Sequence, residues 1–348
     1  MSQAKPELNT TSEELVALVL STIERERERE IIARRFGLFE RKETLEQIGE
    51  TLGITRERVR QLEKAVVAKL RTNGENKKSH PELTSFEAKL NDILAKNGGV
   101  ARVTFLAQAL VNNPDREEQS RIAFLSQLCP SLILINEDDN YYNSVVVKSI
   151  YNEKQFKASV EKLIETIKKI GEPKAMSDIV KASGLSDVKQ SEALASTSKQ
   201  LATLNNRWGL VKWPMVNPKN IRDKIYVILS ENGKHMHFNE IAKAIKESDF
   251  KRKDVTTQAI HNELIKDKRF VLIGRGIYAL KEWGYERGTV ADIITEVLRE
   301  AGEPLHRDEI VARVLKSRFV KETTILLNLQ GKPQFKRVAK ATYALADS

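Results

Sequence analysis

One cysteine, Cys129, serves the whole 348-residue chain. This excludes an internal disulfide and a cage of thiolate metal ligands. It sits in the apolar run FLSQLCPSLILI and reads as a buried, unreactive thiol. Aromatic residues are scarce at 6%, which argues against one large core and for several small helical ones. No apolar run approaches the roughly eighteen residues of a membrane span. The first residues, MSQAKPELNTTSEELVALVL, have no basic leader and no small-residue cleavage site, so no secretory signal is expected. The expected location is the cytoplasm, on the nucleoid. His235 and His237 stand close together without a third ligand nearby, so no metal site is expected. Gly274-Arg275-Gly276 lacks the lysine and following helix of a phosphate loop and reads as a hairpin tip. There is no nucleophile–base grouping and no paired-acid signature. No catalytic residue, cofactor or small-molecule substrate is therefore expected.

What the chain does have is charge. It is 41% hydrophobic and 30% charged, with a net charge of +10. That composition fits a folded, charge-rich protein of more than one domain whose partner is a polyanion, nucleic acid before membrane.

The segment TLEQIGETLGITRERVRQLEKAVVAKL, Thr44 to Leu70, carries the most chemistry. Thr44 followed by Gln47 has the form of a capping box, opening a short helix through Thr51. Gly53 permits a sharp turn, and Thr55 can cap a second helix. On that helix Val59, Leu62, Val66 and Leu70 recur at three- and four-residue spacing as one apolar stripe. Arg56, Glu57, Arg60, Gln61 and Lys64 cluster on the opposite side. Guanidinium groups pair with guanine, carboxamides with adenine, and a carboxylate can accept from cytosine. A charged solvent face is the bland alternative, and spacing alone does not decide between them. Just upstream, IERERERE alternates charge as a solvated helix face stitched by short-range ion pairs would.

RRFGL followed by TLEQIGETLGITRERVRQLE closely resembles region 4 of sigma-70 family factors, over roughly Glu13 to Arg71. The resemblance implies a module that reads the −35 promoter element. It casts Arg56, Glu57, Arg60 and Gln61 as base contacts, and Thr44, Leu45, Thr55 and Lys64 as phosphate contacts. The family often carries lysine where this chain has Ala65 and places its own lysine at Lys64. The resemblance also implies that the helix upstream docks on a flap of bacterial RNA polymerase.

After the polar stretch TNGENKKSHPE the chain repeats itself. GEPKAMSDIV from Gly171, GKHMHFNEIA from Gly233 and GEPLHRDEIV from Gly302 each follow an amphipathic helix, with a fainter copy at NGGVARVTFLAQAL. Ser177, Asn239 and Arg307 or Asp308 are the expected helix caps. Each unit ends in a hairpin pattern bearing an aromatic at one position: Tyr142, Trp208, Tyr278 and Tyr343. Trp208, Trp213, Tyr278, Trp283 and Tyr343 read as core residues pinning a wing rather than stacking platforms for single strands. Three helices and a hairpin make a winged helix. The expected fold is mainly α with small β wings, divided as 1–73, 84–150, 153–216, 217–286 and 287–348. The copies over Pro218–Tyr285 and, more faintly, Phe156–Pro214 resemble HARE-type winged helices, a family that includes a domain of the RNA polymerase delta subunit. That subunit's acidic tail has no counterpart in this chain.

Residues 251–281 hold eight Lys or Arg against three acids, and residues 313–340 eight against one. Such density around a third helix and wing suits phosphate contact through counterion release. The candidates are Lys251, Arg252, Lys253, Lys268, Arg269 and Arg275, then Lys316, Arg318, Lys321, Lys336 and Arg337. The stretch from Asp115 to Asp139 is comparatively acidic and suits spacing or protein contact. The expected function is sequence-specific binding of double-stranded DNA in transcription, with RNA polymerase as a further partner. Two alternatives belong to other classes: an interaction subunit of the polymerase, and a targeting subunit of a DNA restriction or defence system.

Overall fold

The computed structural model describes residues 11–75, 81–250, 252, 254–285 and 288–346. Two compact units divide at Lys212/Trp213.

The first unit opens with four helices: α1 (Ser12–Ser21), α2 (Glu26–Phe36), α3 (Leu45–Leu52) and α4 (Arg56–Glu75). Thr11 starts α1 with a reciprocal capping box to Glu14, closing two backbone donors that the first turn leaves without partners. The first winged helix follows as α5 (Pro81–Lys96), β1 (Val100–Arg102), α6 (Val103–Leu110), α7 (Arg116–Leu128), β2 (Leu132–Ile135) and β3 (Ser144–Val147). The second is α8 (Glu153–Ile170), β4 (Lys174–Ala175), α9 (Met176–Ser183), α10 (Val188–Thr197), β5 (Leu201–Leu204) and β6 (Arg207–Leu210).

The second unit holds two more. One is α11 (Ile221–Asn232), β7 (Met236–His237), α12 (Phe238–Glu247), α13 (Thr257–Lys266), β8 (Phe270–Gly274) and β9 (Ile277–Leu280). The other is α14 (Val290–Ala301), β10 (Leu305–His306), α15 (Arg307–Ser317), α16 (Glu322–Gly331), β11 (Phe335–Ala339) and β12 (Thr342–Leu345). All four sheets are antiparallel with the third strand central: β1-β3-β2, β4-β6-β5, β7-β9-β8 and β10-β12-β11. The glycine that begins each sequence repeat is the left-handed cap ending its first helix.

Cross-strand register explains the recurring aromatic and corrects one assignment. Trp208 faces Lys174, Tyr278 faces Met236 and Tyr343 faces Leu305, and all three rings are buried. The same position in the first winged helix, opposite Ala101, is Val145. Tyr142 lies outside the sheet, with the Arg102 guanidinium 3.9 Å from its ring centre. The expected caps also move. His237 and His306 cap their helices, each ring Nδ1 accepting a backbone N–H, from Asn239 and Asp308. In the second winged helix Ala175 stands at the cap position and Ser177 lies inside the helix. Among the described residues, no group of three side chains could hold a metal ion.

The first unit's core joins the N-terminal helices to the first winged helix. Leu15, Val16, Val19, Val66 and Leu70 from α1 and α4 share one cluster with Phe86, Leu106, Ile122, Phe124, Leu128 and Cys129. A polar clamp tightens the same seam. The Ser12 hydroxyl donates to buried Glu118 at 2.5 Å, and Arg121 reaches the Leu38 carbonyl at 2.8 Å and the Glu13 carboxylate at 3.2 Å. The acidic stretch from Asp115 thus opens α7, the helix against which α1, α2 and α4 pack.

The two winged helices of this unit are sewn together as well. Tyr142 N–H donates to the Thr197 carbonyl and Lys199 N–H to the Asn140 carbonyl, both at 2.8 Å. A Cβ at Gly98 would lie 2.5 Å from the Gln190 Cα, so only glycine lets β1 approach α10 this closely. Among the described residues, no helix is long and apolar enough to cross a membrane.

Candidate nucleic-acid interface

The turn between α3 and α4 fixes the geometry of the N-terminal module. The Thr44 hydroxyl accepts the Gln47 N–H at 3.2 Å, and the Gln47 side chain accepts the Thr44 N–H at 2.9 Å. Gly53 closes α3 at φ 64°, and Thr55 accepts the Arg58 N–H at 3.2 Å to begin α4. Gly49 is a second steric requirement that the spacing did not reveal. Any Cβ there would sit 2.6 Å from the Ile54 carbonyl oxygen, so glycine is what lets the turn fold back on α3. Arg27 adds a clamp by donating to the Leu52 carbonyl at the end of α3.

Behind α4 the apolar stripe is divided between two cores. Val59 joins Ile31 and Ile48, all with no exposed surface, and Leu62 packs on them. Val66 and Leu70 belong instead to the core shared with the first winged helix. The stripe therefore orients α4 twice, once against its own module and once against α7.

In front, Arg56, Glu57, Arg60, Gln61 and Lys64 are all exposed. Three of them, Glu57, Arg60 and Gln61, are hydrogen-bonded to one another. Arg60 grips Glu57 with two parallel bonds of 2.8 and 2.7 Å, and the Gln61 amide reaches the same carboxylate at 3.4 Å. The Arg60 hydrogen bonds hold the Glu57 carboxyl below its ordinary pKa, and Glu57 in turn raises that of Arg60. Both are charged at neutral pH. The pair presents a planar guanidinium with a fixed orientation next to a carboxamide, a geometry that suits edge-on recognition of bases.

Thr44, Leu45 and Thr55 lie at the N-termini of α3 and α4, where backbone N–H groups and the helix dipole favour an anion. The alternating charges of α2 form the expected short-range pairs, Arg25 with Glu28 at 3.2 Å and Arg34 with Glu30 at 2.9 Å. Arg35 also crosses to Glu63 on α4 at 3.2 Å.

The cations of the second unit divide sharply. Arg252, Lys268, Arg275, Lys316, Lys321, Lys336 and Arg337 are exposed. Lys251 and Lys253 lie outside the described residues. Two candidates serve the interior instead. Arg318 is 7% exposed and donates to the Leu272 carbonyl, and burial lowers its pKa. It bolts α15 to the edge of β8, beside the bond from Phe319 N–H to the Ile273 carbonyl at 3.1 Å. Arg269 is held by Asp267 at 2.8 Å and Asp223 at 3.2 Å, with its guanidinium over the Tyr226 ring. Neither offers a free guanidinium to phosphate. Charge counts along the sequence cannot separate such residues from surface cations, because their roles depend on which carbonyls and carboxylates the fold brings near.

Comparison with known proteins singles out the same N-terminal module. Residues 25–72 match the family model described as Sigma-70, region 4. The RNA polymerase sigma factor RpoD of Helicobacter pylori strain 26695 is 47% identical over 64 residues, 17% of this chain and 10% of that protein. Its counterpart from strain J99 is also 47% identical over 64 residues, 9% of its length. The chain thus spans about a tenth of the curated relatives it matches, and the likeness rests on the helix-turn-helix whose exposed face bears Arg56, Glu57, Arg60 and Gln61.

Proposed function

We propose that this protein is a sequence-specific DNA-binding transcription protein that reads a −35-like promoter element through α4. The observation carrying this reading is the exposed row Arg56–Glu57–Arg60–Gln61, with Arg60 and Gln61 hydrogen-bonded to Glu57, anchored from behind by Val59 and flanked by two helix N-termini suited to phosphate. Arg56, Glu57, Arg60 and Gln61 are the base readers; Thr44, Leu45, Thr55 and Lys64 position the duplex. The sigma-like likeness extends the partners to bacterial RNA polymerase. The third winged helix, with its resemblance to HARE-type domains, supports the same association. The likeness is to region 4, and the role proposed for this chain is that of a regulator or of one half of a divided factor.

In vitro selection with the full chain should recover a short preferred duplex, and its genomic occurrences should align with transcription start sites. Equal enrichment of all sequences would overturn the base-reading role. Nuclease-treated extracts should yield polymerase subunits with the tagged chain; their absence would remove the polymerase partnership.

A further inference from the structure

A winged helix ordinarily meets DNA with its third helix, its wing, or both. In this protein the first two third helices are closed off. The α7 residues Ile122, Phe124, Leu125 and Leu128 are fully buried, in the core shared with the N-terminal helices. In α10, Ala193, Leu194, Ala195 and Thr197 are buried, and Arg102 of the preceding winged helix reaches the Ser196 carbonyl. In the third winged helix, β8 is engaged along its outer edge by Arg318 and Phe319, and Arg269 is locked by two aspartates.

The fourth differs. Its third helix, α16, has no cation; it carries Glu322, and its Leu327 is 68% exposed. Its wing is the opposite. Buried Phe335 and Tyr343 root the hairpin, and beyond them Lys336, Arg337, Val338, Ala339 and Lys340 are all exposed. No acid lies between Glu322 and Asp347. A register shift between Arg337 and Ala339 bends the strand, and Arg337 Nε donates to the Ala339 carbonyl at 3.1 Å. That bond fixes the guanidinium plane at the tip and leaves its two terminal nitrogens for a ligand. No ion pair holds Lys316, Lys321 or Lys340 among the described residues, whereas in the second winged helix Lys157 pairs with Glu153 and Lys199 with Glu137, each at 2.7 Å.

We propose that the fourth winged helix makes a second, sequence-independent DNA contact, through the phosphates met by its β11–β12 wing and not through α16. The proposal goes beyond promoter reading and rests on it only for the choice of duplex DNA as the polyanion. A wing of lysine and arginine without carboxamides or carboxylates has the chemistry of backbone neutralisation, not of base discrimination. Its effect is to hold the chain on duplex flanking the site that α4 reads.

The experiment uses the full chain, with affinity measured against salt on two duplexes: the preferred site alone, and the same site within long flanks. Replacing Lys336, Arg337 and Lys340 together by Gln should lower the slope of log K against log salt by about 2–3 on the flanked duplex. Preference for the site should survive, and hydroxyl-radical protection outside the site should disappear. Lys336→Arg with Lys340→Arg should retain the wild-type slope, and an unchanged thermal midpoint shows that the fold is intact. An unchanged slope and footprint in the Gln variant overturns the proposal, as does a loss that depends on flank sequence. So does loss of an acidic protein partner with DNA binding intact. Arg60→Ala separates the two claims: it should relax preference at one base pair of the site and leave the wing's share of the slope. If it leaves preference intact while the wing variant lowers the slope, promoter reading fails and the wing contact stands.

Discussion

The rings of Phe36 and Phe124 meet at 4.9 Å between centroids, inclined by 52°. Phe36 ends the second helix of the N-terminal module, and Phe124 lies mid-way along the third helix of the first winged helix. This contact and the aliphatic cluster around it make the helix-turn-helix and its neighbour one folding unit.

Phe124→Ala should therefore destabilise both modules together, by about 3–5 kcal/mol, the range for emptying a fully buried aromatic site. Cys129 reports the event. It is fully buried, and burial pushes its thiol pKa far above the ordinary range, so it should resist alkylation in the native state. Urea titration followed by Cys129 alkylation and by helix signal should give coincident transitions. Separate transitions would show that the two modules fold independently.

Arg121 compensates a buried acid. Glu118 is 8% exposed, and its Oε1 has no hydrogen-bond partner among the described residues. Removing the guanidinium in Arg121→Met leaves that carboxylate unbalanced and should cost about 3 kcal/mol or more. Adding Glu118→Gln should restore much of the loss. A double variant as unstable as the single one would place Arg121's role in its bond to the Leu38 carbonyl.

Imidazole caps are unusual in helix design, and two of them stand at one position of the repeat. His237→Ala should lower the stability of its winged helix by roughly 0.5–2 kcal/mol, and His237→Asn should recover most of it. Differential melting of residues 213–348 within the full chain is the measurement. An alanine variant that melts like wild type would show that the ring stays for its contact with Phe238.

Acid should loosen the seam between the first two winged helices. Asp138 accepts the backbone N–H groups of Asn140 and then Tyr141, both at 2.8 Å, and these bonds lower its pKa below the ordinary aspartate value. A depressed carboxyl stabilises the fold above its unfolded value, about 3.9. That contribution is lost as pH falls from there through the folded value. Asp138→Asn should flatten this part of the acid-unfolding profile by removing the carboxylate's contribution, so that neutral stability falls toward the acid value. An identical acid profile in the variant would exclude Asp138 as the titrating group.

Arg60→Ala should weaken binding to the preferred duplex on the order of 10- to 100-fold and relax selectivity at one base pair. Competition binding against single-position variants of the site checks this. Equal weakening on random DNA would make Arg60 a phosphate contact.

Much of this molecule was legible in its residues because the signals are local. A capping box needs only Thr44 and Gln47, a sharp turn only Gly53, and an amphipathic helix only the spacing of Val59, Val66 and Leu70. The repeat could be read from its glycines and aromatics, since each unit closes its own small core. Other features depended on partners distant in sequence: the buried Arg318, the paired Arg269, the crowding at Gly49 and Gly98, and the imidazole caps. A cation's identity says nothing of whether a carbonyl or a phosphate will meet it.

The chain's order of residues by itself determined which segments are helices and wings, and that α4 has one apolar and one polar, charged side. Only the tertiary structure decided which of those helices face solvent. Whether α7, α10 or α4 is covered depends on contacts between segments far apart in the chain, and burial of a surface is a property of the pair, not of either sequence alone.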